Sequence, residues 1–210
     1  RKQTVPGSRI DTQITVTQAE LKEAHDAVKQ GRTELNLQRK ALKLETRASL
    51  FMAGMQVFVD KLAKKYGLKD QAVLPLKQMF AQAEQKLQHS VERRMQLVEQ
   101  ATTTLEDHTR QAAYLSSLAR GGKQGQIDDG PLQPRHAQTG NAPSPAPLDG
   151  LTNCLTQLDD PEQALVKKAG QFGQEVISND AEWYDDISQG EADGYLARLA
   201  QLNGELNELE

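Results

Sequence analysis

The chain has 210 residues, of which 37% are hydrophobic, 26% are charged and 4% are aromatic. So few aromatic residues argue against a large β-sandwich or β-barrel core, whereas a low hydrophobic share is typical of elongated helical proteins in which each helix buries one stripe. The single cysteine, Cys154, excludes an intramolecular disulfide. Composition therefore favours an all-α protein that is soluble and either cytoplasmic or exported without disulfides.

Charge is distributed unevenly along the chain, although the formal net charge is only −4. Residues 1–120 carry 20 Lys and Arg against 13 Asp and Glu, a net charge of +7, whereas residues 151–210 carry 3 against 13, a net charge of −10. Opposite net charges on tethered segments favour their association. We therefore expect the acidic C-terminal segment to fold back on the basic N-terminal one.

The first predicted helix follows an extended lead-in at residues 1–16. Thr17-Gln18-Ala19-Glu20 has the pattern of a capping box, in which the Thr hydroxyl and the Glu carboxylate each satisfy a backbone N–H. The helix is predicted to end at Tyr66, because Gly67 follows two lysines as a left-handed glycine cap.

An apolar seam runs along this helix with alternating steps of three and four residues, which is the heptad spacing of a coiled coil. An earlier stripe ends at Leu35, two positions before the seam begins, so we expect a local irregularity there. The seam consists of Leu37, Ala41, Leu44, Ala48, Phe51, Met55, Phe58 and Leu62.

A second helix is predicted up to Arg120, with Asp70 as its cap and Pro75 in its first turn. It ends at Gly121-Gly122. Two long helices joined by a short turn bury their stripes by packing antiparallel, so residues 17–120 are predicted to form a long helical hairpin. The predicted stripe of the second helix consists of Phe80, Ala83, Leu87, Val91, Met95, Val98, Ala101, Leu105, Ala112, Leu115 and Ala119.

The remainder of the chain is predicted to be a linker followed by shorter helices. Residues 121–150 contain six glycines and five prolines, which is typical of a flexible linker. Within the acidic segment 151–210, Asp160-Pro161-Glu162 predicts a helix start, with the helix continuing to about Ser178. A short helix around Trp183 and a last helix from Gly190-Glu191 complete the predicted three- or four-helix bundle.

No pattern in the sequence predicts catalysis, a cofactor or a metal site. None of the four histidines, at positions 25, 89, 108 and 136, occurs in the Glu-x-x-His or His-x-x-x-His pattern that a helical metal site would use. Cys154 has no histidine nearby that would activate it. The basic residues of the hairpin have no aromatic residues between them for base stacking, which argues against nucleic-acid binding. They are Arg39, Lys40, Lys43, Arg47, Arg93 and Arg94.

Two features are candidate contact surfaces. The segment Leu50–Val59 is apolar nearly all round its helix, so it must contact more than one partner helix. The C-terminal helices could cover it, or it could contact a protein partner or an anionic membrane surface, for which the neighbouring lysines are suited. These are Lys61, Lys64, Lys65 and Lys69. The candidate contact residues of the segment are Leu50, Phe51, Met52, Met55, Val57, Phe58 and Val59.

The second candidate surface is the adjacent aromatic pair Trp183 and Tyr184 in the acidic segment. Such a pair either anchors the tail on the hairpin or forms the centre of a partner interface.

These patterns predict a non-enzymatic structural or interaction protein that acts through helical surfaces. Its partner is expected to be another protein or a second copy of the chain, and a bacterial or phage assembly or virulence apparatus is the expected setting. The alternative is a membrane-active helical protein, pore-forming or translocator-like, that uses the apolar segment 50–59.

Overall fold

The structure is a computed structural model that describes residues 16–120, 157–178 and 187–210. Four α-helices and no strand occur in these ranges: α1 (Gln18–Tyr66), α2 (Asp70–Ala119), α3 (Asp160–Ser178) and α4 (Gln189–Leu209). The predicted all-α class, with a hairpin and C-terminal helices that pack back, is confirmed. The predicted lead-in, linker and short helix around Trp183 lie outside the described residues, apart from Val16 and Ile187 at their edges.

The two ends of α1 form as their sequences predict. Thr17 N–H donates to Glu20 Oε2 at 2.7 Å and Glu20 N–H donates to Thr17 Oγ1 at 3.2 Å, which completes the capping box. At the other end Gly67 has a φ of +63°, and the N–H of Leu68 donates to the carbonyl of Ala63 at 2.9 Å. This bond closes a Schellman turn, for which glycine is the favoured residue.

Helix α2 begins at Asp70, so Pro75 lies inside the helix rather than in its first turn. Proline lacks the N–H that would bond to the carbonyl of Gln71, four residues earlier. Both Gln71 and Pro75 are exposed, so water can reach the carbonyl that the proline leaves without a helical donor.

The shorter helices also begin close to their predicted positions. In α3 the N–H of Gln163 donates to the carbonyl of Asp159, one residue before the predicted cap. Helix α4 begins at Gln189 with Ser188 as its N-cap, and Ser188 forms a capping box with Glu191 that the sequence analysis missed. Helix α3 is continuous through its two internal glycines as far as Ser178, the last residue that the structure describes in this range.

The described helices divide into two compact units. The first contains residues 16–33, which include the start of α1, and residues 102–120, which include the end of α2. Its interior is thin and made of small side chains, since Ala24 and Ala112 are its buried hydrophobic residues. A Cβ atom on Gly31 would lie 3.3 Å from Leu105 Cδ1, so glycine allows close packing of the two helices at this level.

The second unit contains residues 34–101 together with α3 and α4. Within it α1 and α2 are antiparallel: Glu45 contacts Arg94, Gln56 contacts Glu84, and Asp60 contacts Lys77. The partner on α2 moves backwards along the chain as the residue on α1 moves forwards. This order confirms the predicted hairpin.

Helices α3 and α4 are antiparallel to each other and complete a four-helix arrangement in the second unit. Glu175 and Lys168 of α3 pair with Arg198 and Glu205 of α4. Gly173 of α3 lies against both long helices, since its Cβ would be 3.6 Å from Met52 Sδ and 3.8 Å from Ala83 Cβ.

The predicted seam of α1 is confirmed, with one change at its start. Helix α1 is continuous past Leu35, so the predicted irregularity does not break the helix. Where the apolar pattern shifts, the polar residue Gln38 is buried. Buried residues of the seam are Ala41, Leu44, Ala48, Phe51, Met55, Phe58 and Leu62.

The predicted stripe of α2 is correct at Phe80, Ala83 and Leu87 and wrong at Met95, which is 58% exposed. Instead, Ser90 and Arg94 face the interior, and Arg94 is only 2% exposed in its side chain. The buried carboxylate of Glu45 gives this arginine a partner, which hydrophobic periodicity cannot reveal.

Candidate interaction surface

The apolar segment Leu50–Val59 divides into covered and exposed side chains. Five of its seven candidate residues are buried in the core of the second unit: Phe51, Met52, Met55, Phe58 and Val59. Residues of α3 and α4 share that core, which places the C-terminal helices over the segment.

The breadth of this buried face explains why the segment is apolar nearly all round. Adjacent residues are buried together at Phe51/Met52 and again seven residues later at Phe58/Val59. A helix that contacts one neighbour buries a narrow stripe, whereas a pair of adjacent residues in each heptad faces two neighbours. The excess hydrophobicity of α1 is therefore matched by contacts with α2 and with the C-terminal helices.

Leu50 and Val57 are the two candidate residues that remain outside, with exposures of 68% and 54%. They are seven residues apart, so they lie on the same face of α1. Exposed cations continue this face in steps of three or four residues on both sides. We name this set the basic–apolar stripe; it consists of Arg39, Lys43, Arg47, Leu50, Val57, Lys61 and Lys64.

The stripe is not neutralised within the described part of the chain. Between residues 39 and 64, α1 has two acidic residues: Glu45 is buried, and Asp60 pairs with Lys77 at 2.6 Å. Lys61 pairs with Glu210 at 2.9 Å. The four remaining cations form no ion pair with any residue that the structure describes.

A cluster around Glu162 holds the start of α3 beside the end of α1. Its carboxylate is 6% exposed, accepts from Lys65 Nζ at 2.7 Å and accepts from the Tyr66 hydroxyl at 2.5 Å. The Tyr66 oxygen in turn accepts from the N–H of Asp159 at 3.4 Å. Sequence reasoning identified Glu162 only as an acid in a first helical turn.

Protonation of this cluster follows from its hydrogen bonds. Burial disfavours the charged form of Glu162, but the bonds from Lys65 and Tyr66 outweigh it, so the pKa of this carboxyl lies below its ordinary value. The bond to Glu162 raises the pKa of Lys65 and, together with burial, the pKa of Tyr66. The three groups therefore favour a state in which Glu162 is ionised and both donors keep their protons.

Further polar contacts fasten the C-terminal helices along the hairpin. Lys40 pairs with Asp193 at 3.0 Å, and Lys86 Nζ donates to the carbonyl of Ile177 at 2.8 Å. The latter contact places a cation at the C-terminal end of α3, where the helix dipole is negative. These contacts accord with the opposite charges of the two segments, and each exposed pair stabilises the fold by roughly 0–1 kcal/mol.

A buried polar cluster lies between α1 and α2. Arg94 donates to Glu45 Oε1 at 3.1 Å from Nε and 2.9 Å from Nη2, and to Gln38 Oε1 at 2.6 Å. The sequence analysis named Arg94 only among the basic residues of the hairpin. One feature of the sequence could have indicated this buried cluster. Gln38 lies three residues before the seam residue Ala41 and Glu45 lies four residues after it, so both can face the second helix.

The remaining candidate residues of the sequence are not among those that the structure describes. Trp183 and Tyr184 lie outside the described residues, as does Cys154. Where side chains are described, no group of three or more His, Cys, Asp or Glu is arranged to hold a metal ion. None of the described helices combines the length and the apolar character needed to span a membrane.

No protein-family model, curated protein or solved structure matches the chain. The function of the basic–apolar stripe is therefore inferred from the arrangement of its exposed side chains. Exposed apolar side chains flanked by cations on one helix face are suited to binding a surface with an apolar centre and acidic flanks.

Proposed function

We propose that the protein is a non-enzymatic structural or interaction protein that binds another protein through its helical surfaces. The observation that carries the proposal is the basic–apolar stripe. Leu50 and Val57 stay exposed on a helix whose other large apolar side chains in the same segment are buried, and the flanking cations other than Lys61 lack acidic partners among the described residues.

The second unit suits such a role because α3 and α4 pack against the hairpin and restrict its motion. Both long helices contribute to one continuous core with the C-terminal helices. A side chain held on a packed helix loses little further backbone freedom when a partner binds, which favours affinity. The proposed setting, a bacterial or phage assembly or virulence apparatus, is supported by the Gln- and Ala-rich long helices of the chain.

Cross-linking with matched variants tests the proposal. The full-length chain is cross-linked in a lysate of its source organism, and partners are identified by mass spectrometry with the cross-linked positions. We expect a partner whose cross-links map to the stripe and whose capture is lost in L50D/V57D. The control L74D/M95D replaces two comparably exposed apolar residues on α2 and should retain capture. Capture that is equal in both variants would contradict the assignment of this surface.

A membrane-active role is the second candidate, favoured by the position of Lys61 and Lys64 next to the exposed Val57. A cationic helix face with an apolar centre can lie in the headgroup region of an anionic bilayer. Co-sedimentation of the full-length chain with phosphatidylserine vesicles checks this role. The membrane role would be eliminated if no binding occurred at low salt, either for the wild type or for a variant in which the contacts of α3 and α4 with the hairpin are weakened.

A further inference from the structure

The spacing of the basic–apolar stripe points to a helix as its partner. From Arg47 the stripe proceeds to Leu50, Val57, Lys61 and Lys64 in steps of three, seven, four and three residues. These are the positions at which one helix meets another along a straight line of contact. Leu50 and Val57 occupy the middle of that line, and cations occupy both ends.

The charge of the stripe specifies the sign of that partner. Its cationic positions form no ion pair with a described carboxylate except at Lys61, where Glu210 reaches the ammonium group. Rim charges of one sign favour a partner of the opposite sign through faster encounter and rejection of like-charged surfaces.

The chain itself contains an example of this mode of recognition. Helix α4 runs parallel to α1 along one flank, with Asp193 at Lys40, Leu206 at Gly54 and Glu210 at Lys61. An acidic amphipathic helix, with an apolar residue between two carboxylates, therefore already pairs with this stretch of α1. Lys61 belongs both to this contact and to the stripe, and the other residues of the stripe lie on the exposed side of α1.

We infer that the stripe binds an acidic amphipathic helix of a partner protein. Apolar side chains seven residues apart on that helix contact Leu50 and Val57, and its carboxylates reach Lys43, Arg47 and Lys64. This inference rests on the proposed function and adds the chemistry of the partner to it.

A narrow acidic helix fits better than a flat anionic bilayer, because α4 lies beside the stripe. Its carboxylates Asp193 and Glu210 sit on the flank of α1, where a broad anionic surface would meet them and be repelled. The stripe also presents only two large apolar side chains, Leu50 and Val57, to an interface. A helix about 10 Å wide that contacts the stripe meets these carboxylates only where Glu210 reaches Lys61, whereas a bilayer would meet both.

A designed peptide provides the probe. It is a helix of about eight turns, roughly 28 residues, with leucines at two positions seven residues apart, glutamates on both sides of that line and glutamine or alanine elsewhere. Its binding to the full-length chain is measured by fluorescence anisotropy at low and physiological salt. We expect saturable binding that weakens as salt rises, because the flanking pairs are exposed. A matched peptide with lysine in place of every glutamate should not bind.

Matched charge variants locate the binding site. K43E/R47E should weaken binding of the acidic peptide at least tenfold. K22E/K29E reverses two exposed cations seven residues apart, elsewhere on the same helix, and should change binding by less than twofold. Equal losses in the two variants would overturn the inference, because they would indicate only a general attraction between charges.

Apolar variants and two competing partners complete the experiment. L50D/V57D should weaken peptide binding at least tenfold, and L74D/M95D should leave it unchanged. Stripe-dependent self-association in sedimentation would overturn the inference in favour of a second copy of the chain. Tighter stripe-dependent binding to phosphatidylserine vesicles than to the peptide would overturn it in favour of lipid. If the peptide fails to bind while cross-linked capture still depends on the stripe, this inference fails and the proposed function stands.

Discussion

Replacing Gly173 by alanine and by leucine is expected to change stability in opposite directions. A Cβ atom at this position would lie 3.6 Å from Met52 Sδ and 3.8 Å from Ala83 Cβ, which are ordinary van der Waals separations. Alanine therefore fits without displacement of its neighbours. It also removes the unfavourable helix propensity of glycine, so G173A should stabilise the protein by about 1 kcal/mol.

Leucine at the same position adds three further carbon atoms where Met52 and Ala83 already fill the space. Overpacking of a core costs about 1–3 kcal/mol, which offsets or exceeds the gain of about 1 kcal/mol from helix propensity. G173L should therefore destabilise the protein by up to about 2 kcal/mol net, and it should be less stable than G173A. The leucine side chain should displace α3 away from the hairpin.

Gly204 supplies the control, because it lies in α4 and a Cβ atom added to it would have no neighbouring atom within 4 Å. Both G204A and G204L should stabilise the protein by about 0.5–1 kcal/mol, because Gly204 is exposed and a side chain there can extend into solvent. The comparison of leucine at positions 173 and 204 separates packing from helix propensity.

Thermal unfolding followed by circular dichroism measures these effects. For a chain of this size, 1 kcal/mol corresponds to roughly 2–4 °C in Tm. G173L should also increase the binding of a hydrophobic dye if α3 is displaced. A G173L protein as stable as G173A, with unchanged dye binding, would refute the placement of α3 against both long helices.

Three further changes test other contacts. Substitution R94M leaves the buried carboxylate of Glu45 without its arginine and should cost about 3–5 kcal/mol in urea unfolding, whereas E45L/R94M should recover most of that loss. A pH titration of stability should show that E162Q costs about 1 kcal/mol at pH 7. Because the pKa of Glu162 is lowered in the folded state, its contribution is present above the ordinary carboxyl pKa and is lost as the pH falls through the folded value. The difference between wild type and E162Q should accordingly shrink in acid, and E208Q, at an exposed glutamate, should show no such difference. In G67A the left-handed φ of +63° would be held by a residue with a Cβ, so thermal unfolding should show a loss of about 1–2 kcal/mol.

The ends of the helices were predictable from the sequence because their determinants are local. The capping box at Thr17 and Glu20 involves residues three apart, and the turn at Gly67 requires a backbone conformation that glycine adopts readily. Ser188 and Glu191 form the same motif, so that helix start was readable too, although the prediction placed it slightly late. Such signals need no knowledge of the rest of the fold.

The burial of polar residues was not predictable, because it depends on partners far away in sequence. The predicted stripe of α2 includes Met95, yet Arg94 is the residue that faces inward. The two positions are adjacent, and periodicity assigns the apolar one to the core. Arg94 is accommodated only because Glu45 and Gln38 lie opposite it on α1, and that pairing depends on the register of the two helices.

For the apolar segment Leu50–Val59, the sequence determined how many apolar side chains the helix carries, and the tertiary structure decided which of them are buried. The number of apolar residues per turn already required more than one contact surface. Which surface covers each residue depends on how α3 and α4 lie against α1, and this is set by distant contacts such as Gly173 with Met52 and Glu162 with Tyr66. Local periodicity carries no information about those contacts, so only the folded chain distinguishes the buried Met52 from the exposed Leu50 and Val57.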